Sequence, residues 1–236
     1  MIQGAMMQTL LPDSRGMCRG CGFVGTRAAM SGHHAECVVR LPHSGPSRPV
    51  FRLHVDGGGP YWLDLDVALG ATLDDLDEFL RAVWLECCGH LSEFSVGPQT
   101  DYTHFDPSTL EAASDQTPFS DLLSVGESFS YVYDLGSSTE LSVHVEAREE
   151  VYDWNGPVRY LARNVPPRLK CSACAAPAMW VHSWDFDERT GEALLYCGRH
   201  GKAGRDDQLP VVNSPRLGVC AYSGGSMDDW PPAPKD

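Results

Sequence analysis

Cys171, Cys174, Cys197 and His200 are spaced C-x2-C-x22-C-x2-H, and no other feature limits the fold of this chain as strongly. With two residues between paired cysteines, a tight turn points both sulfurs at one ion, and four such ligands suit a closed tetrahedral zinc site. Between the pairs, "AMWVHSW" and "GEALLYC" read as short strands joined by "DFDERTG", the hairpin that a zinc ribbon requires. A second cluster offers Cys18, Cys21 and Cys37 with His33 or His34, as C-x2-C-x11-H-x3-C or C-x2-C-x12-H-x2-C. His33 is favoured, because a spacing of four places it and Cys37 on one helical face. Each set holds four ligands, three of them thiolates, which fill the coordination shell and leave the ion a poor Lewis acid. Two structural zinc ions are therefore expected, holding segments too small to build cores of their own.

Charge narrows the partners. Eighteen Lys and Arg against 32 Asp and Glu give a net charge of -14, which a phosphate backbone repels unless the cations cluster. Arg19, Arg27 and Arg40 around the first cysteine cluster keep a local basic patch in view. No apolar run approaches the roughly 20 residues of a membrane span. The N-terminal stretch lacks the basic start and long apolar core of a signal peptide. A soluble cytoplasmic protein is expected, and in a reducing compartment nine cysteines point to metal rather than disulfides.

The chain divides into a zinc-finger-like segment with its linker (1–45), an α+β domain (46–165), and a zinc ribbon with a C-terminal tail (166–236). In "VFRLHVD", Phe51, Leu53 and Val55 alternate with Arg52, His54 and Asp56, a half-buried strand pattern. "YWLDLDVAL" alternates likewise, with Leu63, Leu65 and Val67 opposite Asp64 and Asp66, so the pair predicts a hairpin across "GGGP". Leu73, Leu76, Leu80, Val83 and Cys87 form one apolar helical stripe, with Thr72 and Asp75 as a capping box. Cys87 is thereby assigned to the core. Cys88, His90 and Glu86 in "LECCGH" would face apart on a helix unless it ends at Gly89. A second hairpin is predicted from Phe129, Tyr131, Tyr133 and Leu135 to Leu141, Val143 and Val145 across "GSST". Residues 98–118 read as a polar surface loop, and "SMDDWPPAPKD" as a mobile tail.

The ordered motifs of residues 50–147 are Pro60 and Trp62, the helix from Leu73, His90, Leu91 and Phe94, Ser120 to Leu123, then Tyr131, Tyr133, Asp134 and Gly136. As a set they resemble the plasmid pRiA-type ORF-three family, also known as insertion-element passenger TnpR-like proteins, in a zinc-bearing subgroup. The resemblance implies a helix packed on a curved, mostly antiparallel sheet and a link to mobile elements. It implies no recombinase activity. The chain departs from the family at Leu63 and Asp64, where basic residues are usual, and at Ser137 to Leu141, where Asp-Asp-Trp-Glu-His is usual.

Nothing in the sequence assembles a nucleophile with a base and an orienting group, and there is no phosphate loop. The expected function is a non-enzymatic zinc-binding interaction or adaptor module whose partner is another protein; Tyr61, Trp62, Tyr131 and Tyr133 read first as half-buried sheet residues and second as an aromatic binding surface. One alternative is a nucleic-acid-associated factor reading through the N-terminal finger. The other is an enzyme with a site around His90, Asp134 and Glu140. No membrane association is expected, and "NSPR" at 213–216 reads as an ordinary turn.

Overall fold

Leu53 faces Leu65 and Val55 faces Leu63 across the first hairpin, in which β3 (Ser47–Asp56) and β4 (Trp62–Ala68) pair antiparallel. The computed structural model describes residues 14–39, 46–96, 117–152, 154, 156–202 and 206–226. Arg40, nearly all of the loop expected over 98–118 and the tail from 227 lie outside these residues. The second hairpin also forms, from β6 (Ser128–Tyr133) and β7 (Thr139–Tyr152), with Tyr131 opposite Leu141. β5 (Ser92–Val96) pairs with β6, and β8 (Val158–Asn164) with β4. β1 (Arg15–Cys18) pairs with β8 and with β2 (Val24–Thr26), so the strands around the first cysteine pair continue the main sheet. The sheet runs β2-β1-β8-β4-β3-β7-β6-β5, and each of these pairings is antiparallel. The fold is α+β, an open antiparallel sheet with few helices.

The main helix, α2 (Leu73–Leu80), starts at the expected capping box. Thr72 Oγ1 accepts the Asp75 N–H at 3.3 Å, and Asp75 Oδ2 accepts the Thr72 N–H at 2.9 Å. Leu73, Leu76 and Leu80 are buried against the sheet, each worth about 1.5–3 kcal/mol of hydrophobic stabilisation. The helix then widens into a π-helical turn, Arg81–Leu85, and stops at Glu86, which is extended. Cys87 is thus not on the helical stripe. It sits past the helix end, partly buried at the edge of the core.

β3 is not half-buried. Its second face is covered, because Arg27 of the helix α1 (Arg27–Val39) lies on His54 at 3.2 Å, while His34 reaches Asp64 on neighbouring β4 and Cys18, Met30, Trp62 and Ala162 form a small second core beside it. Arg52, His54, Asp64 and Asp66 are consequently all buried. Each finds a partner, as buried charges must. Asp66 accepts from Arg52 at 3.1 Å and from Arg159. Asp64 takes His54 Nδ1 at 2.7 Å and His34 Nε2 at 2.9 Å, one imidazole on each carboxylate oxygen. Tyr61, Trp62, Tyr131 and Tyr133 are buried too, more deeply than half-buried sheet residues, so they form no aromatic binding surface. Leu135, expected to continue the buried face of the second hairpin, is 56% exposed, because β6 ends at Tyr133 and Asp134 turns left-handed.

The Asp64 pair makes a stability prediction. Burial alone would raise the Asp64 pKa, but its bonds to His34 and His54 hold it below the usual carboxylate range. A depressed folded pKa contributes stability that is present above the unfolded value near 4 and fades as pH falls further. Asp64→Ala, which strands two buried imidazoles, will cost about 3–5 kcal/mol at pH 7 in urea titrations. The difference from wild type will shrink below about pH 4. An unchanged midpoint at pH 7 would show that the pair contributes nothing.

The C-terminal part forms its own sheet, with β9 (Trp180–Phe186) between β10 (Ala193–Tyr196) and β11 (Gln208–Pro210). From Cys171 through this sheet, the buried apolar residues among those described are Cys171, Val181 and Cys197. Two of these three are cysteines of the ligand pattern.

Candidate metal centres

The chain's nine cysteines are all free thiols. They fall into three groups of three, each joined by one histidine, and within each group the donor atoms lie within 4.8 Å of one another. Two thiolates on a tetrahedral ion, at ~2.3 Å each, lie about 3.8 Å apart, and a thiolate and an imidazole nitrogen about 3.6 Å. A disulfide would need about 2.05 Å.

The first group is Cys18, Cys21, His33 and Cys37. The turn between β1 and β2 carries Cys18 and Cys21, closed by the Gly22 N–H on Cys18 O at 2.9 Å. α1 carries His33 and Cys37. Cys18 Sγ lies 3.9 Å from Cys37 Sγ, and Cys21 Sγ lies 3.1 Å from His33 Nε2. The His33 ring stacks on Phe23 with centroids 4.3 Å apart. His34, the alternative that the spacing left less favoured, turns inward to Asp64. Burial opposes ionisation of Cys18, but His34, the Cys21 and Gly20 N–H groups and His33 hold the thiol down to about 5. Burial, and then the neighbouring Cys21 and Cys18 sulfurs, push Cys37 up to about 12. One sulfur of the pair is poised as a thiolate while the other keeps its proton until something cationic arrives.

The second group, Cys171, Cys174, Cys197 and His200, is built the same way. The Ala175 N–H closes the first turn on Cys171 O at 2.9 Å, and the His200 N–H closes the second on Cys197 O at 3.1 Å. The residue after the second cysteine is left-handed in both groups, Gly22 at φ 75° and Ala175 at φ 57°. Cys174 Sγ lies 3.7 Å from Cys197 Sγ, and His200 Nδ1 lies 3.4 Å from Cys171 Sγ and 3.6 Å from Cys197 Sγ. Against burial, the N–H groups of Cys197, Ala173 and Cys174 and the His200 ring bring Cys171 down to about 6.

The third group was not foreseen. Cys87, Cys88 and His90 follow the π-helical turn, and Cys220 joins them from the far end of the chain. Cys88 Sγ lies 3.0 Å from His90 Nε2, 3.7 Å from Cys87 Sγ and 3.6 Å from Cys220 Sγ, and His90 Nε2 lies 3.4 Å from Cys220 Sγ. The objection that helical geometry would separate Cys88 from His90 fails because the helix has already ended. Gly89, left-handed at φ 75° with its N–H on Glu86 Oε1, folds the two side chains to one side. Arg216 lies alongside, donating to Asp134 Oδ2 at 2.6 Å and to Cys87 Sγ at 3.5 Å. The "NSPR" turn is therefore no ordinary turn, with Ser214 and Arg216 completely buried.

Of the residues considered for catalysis, His90 and Asp134 do approach, with Nε2 to Oδ2 at 3.4 Å. Glu140 does not join them through its side chain. Thr139 faces inward to accept from Arg216 at 3.0 Å, so Glu140, the next residue on β7, points to the opposite face and is exposed. The three Cys/His groups could hold metal ions. Among the described residues no helix is long and apolar enough to cross a membrane.

No protein-family model matches the chain, and no curated protein is recognisably similar to it. A solved structure, a protein of unknown function, MM3350, from Methanosarcina mazei Go1, is similar at 22% identity over 50% of this chain and 67% of that one, with a TM-score of 0.35. A likeness at that level carries no argument about function.

Proposed function

We propose that the chain is a non-enzymatic, zinc-stabilised adaptor that binds another protein in the cytoplasm. The observation that carries this reading is an exposed aromatic pair on the ribbon. Trp184 is 76% and Phe186 38% exposed, two residues apart on one face of β9. Large aromatics left in water on a rigid strand are the usual anchors of protein interfaces. Asp185, Glu188 and Glu192 are exposed on the same hairpin, against one exposed cation there, Arg189, so the fitting partner has an apolar pocket with a basic border. The N-terminal and C-terminal groups suit zinc by donor type and spacing, and four protein ligands leave no open position for a substrate. The resemblance to the plasmid ORF family over residues 50–147 supports a setting among mobile elements.

Two of the three arginines behind the nucleic-acid alternative, Arg40 lying outside the described residues, have partners within the protein. Arg19 lies over the Tyr160 ring at 5.2 Å and Arg27 pairs with Glu146 at 3.1 Å, so both are engaged by the protein itself. The test is native mass spectrometry of the chain drawn gently from its own cells, with and without nuclease. The reading expects a protein companion that survives nuclease. Trp184→Ser should weaken that companion's binding by ~30-fold or more, the loss typical of a hot-spot aromatic. A companion that is nucleic acid, with affinity falling steeply as salt rises, would replace this reading with the alternative.

A further inference from the structure

We propose that Cys87, Cys88, His90 and Cys220 bind a third thiophilic divalent cation of the zinc class, and that this ion clips residues 213–226 onto the main sheet domain. The donor set repeats that of the other two groups, three sulfurs and one imidazole nitrogen, and with it every cysteine in the chain is accounted for. The separations of 3.6 and 3.7 Å between sulfurs match two thiolates on one tetrahedral ion.

Several independent features converge here. The π-helical turn Arg81–Leu85 delivers the chain directly to Cys87, and such turns gather at functional sites. Cys220 at φ 53° and Asp134 at φ 66° are non-glycine residues held in the left-handed region within this one neighbourhood. Strain of that kind persists only where surrounding contacts over-determine it. Three thiolates on a divalent ion leave one net negative charge, and the Arg216 guanidinium donates to Cys87 Sγ from the buried side.

The role follows from chain separation. The first group spans 19 residues between Cys18 and Cys37, and the second 29 between Cys171 and His200. Cys88 and Cys220 are 132 residues apart. An ion here closes by far the longest loop and ties the chain beyond the ribbon to the core. Ser214 Oγ donates to Trp84 O at 2.7 Å, Asn213 Oδ1 accepts from Asn164 at 2.7 Å, and Tyr222 is buried. The clip lies between those anchors.

This inference does not depend on the adaptor reading, which concerns the ribbon. The test is a metal count by native mass spectrometry on the full chain purified with zinc, together with hydrogen exchange. Wild type should carry three ions. Cys220→Ser and Cys88→Ser should each carry two, with protection lost across residues 213–226. Cys174→Ser should also carry two but leave that segment protected. Two ions in wild type, with Cys88 and Cys220 both alkylated in the native zinc-loaded protein, would overturn the proposal. So would a wild-type mass two hydrogens lighter with Cys88 and Cys220 cross-linked, which would make the pair a disulfide. Should Cys220→Ser fail to fold, the wild-type count and its alkylation pattern decide alone.

Discussion

Replacing Arg216 with leucine will destabilise the chain by about 3–5 kcal/mol, the cost of breaking a buried pair and leaving its partner charged. Arg216 is fully buried, and its guanidinium joins three parts of the fold. It donates to Asp134 Oδ2 at 2.6 Å, to Ser137 O and Thr139 Oγ1 at 3.0 Å, and lies 4.8 Å from the centre of the Tyr133 ring. Leucine fills part of the volume but offers no donor, so the Asp134 carboxylate remains buried opposite an apolar group. Asp134 has other duties that keep it in place. Its Oδ1 accepts from the N–H groups of Gly136 and Ser137 in the turn between β6 and β7. The double substitution Arg216→Leu with Asp134→Asn should therefore recover part of the loss, because the stranded charge is gone. Urea midpoints for the two single variants and the double variant measure the coupling. Equal losses for Arg216→Leu and for an exposed control such as Arg189→Leu would show that the pair is not structural.

Removing metal will have the largest effect of all, and it will be uneven. Among its described residues the ribbon buries only Val181 beside its own Cys171 and Cys197, far too little apolar surface for a three-stranded sheet to stand alone. Structural zinc in such units contributes an apparent ~10–16 kcal/mol, which is their folding energy. A strong chelator, or Cys197→Ser, should collapse β9, β10 and β11 to fast hydrogen exchange. The N-terminal group should respond less. β1 stays hydrogen-bonded to β8 through Gly16 opposite Asn164 and Cys18 opposite Ala162, and Met30 packs with Trp62 in the second core. Trp62 Nε1 also donates to Ser14 Oγ at 2.7 Å. Chelation should therefore loosen α1 while leaving β1 protected. Equal melting of both ends, or of neither, would contradict this difference in support.

What the sequence made legible was local. Period-two alternation found both hairpins, because the side chains of Leu53, Leu65, Tyr131 and Leu141 need only their neighbours' register to declare a face. The Thr72–Asp75 capping box and the two-residue cysteine spacings are likewise complete within a few positions. Most of the missed features are made by distant pairings; Cys87 and Leu135 were misread instead because a π-helical turn and a left-handed Asp134 break the local period. β3 reads as half-buried until Arg27 of α1 arrives on His54 from an earlier segment and Asp66 and Glu149 engage Arg52. Tyr131 and Tyr133 read as only half-buried until α2 and the segment carrying Arg216 close over them. The third group could not be read because its fourth member lies 132 residues from Cys88 and because helical periodicity seemed to run through Cys87. A signal was nevertheless present. Two ligand sets used six of nine cysteines, and the remaining three, with His90 beside Cys88, had the same composition as each set already assigned.

Thiolate-rich groups of this kind would saturate their ions and so hold the fold instead of working on a substrate. X-ray absorption at the zinc edge of the protein as isolated tests this most directly. The prediction is an average shell of three sulfurs and one nitrogen per ion, as the donor groups dictate. A shell with an oxygen ligand and fewer than three sulfurs would mean an open coordination position, and the ions would then have to be considered for catalysis.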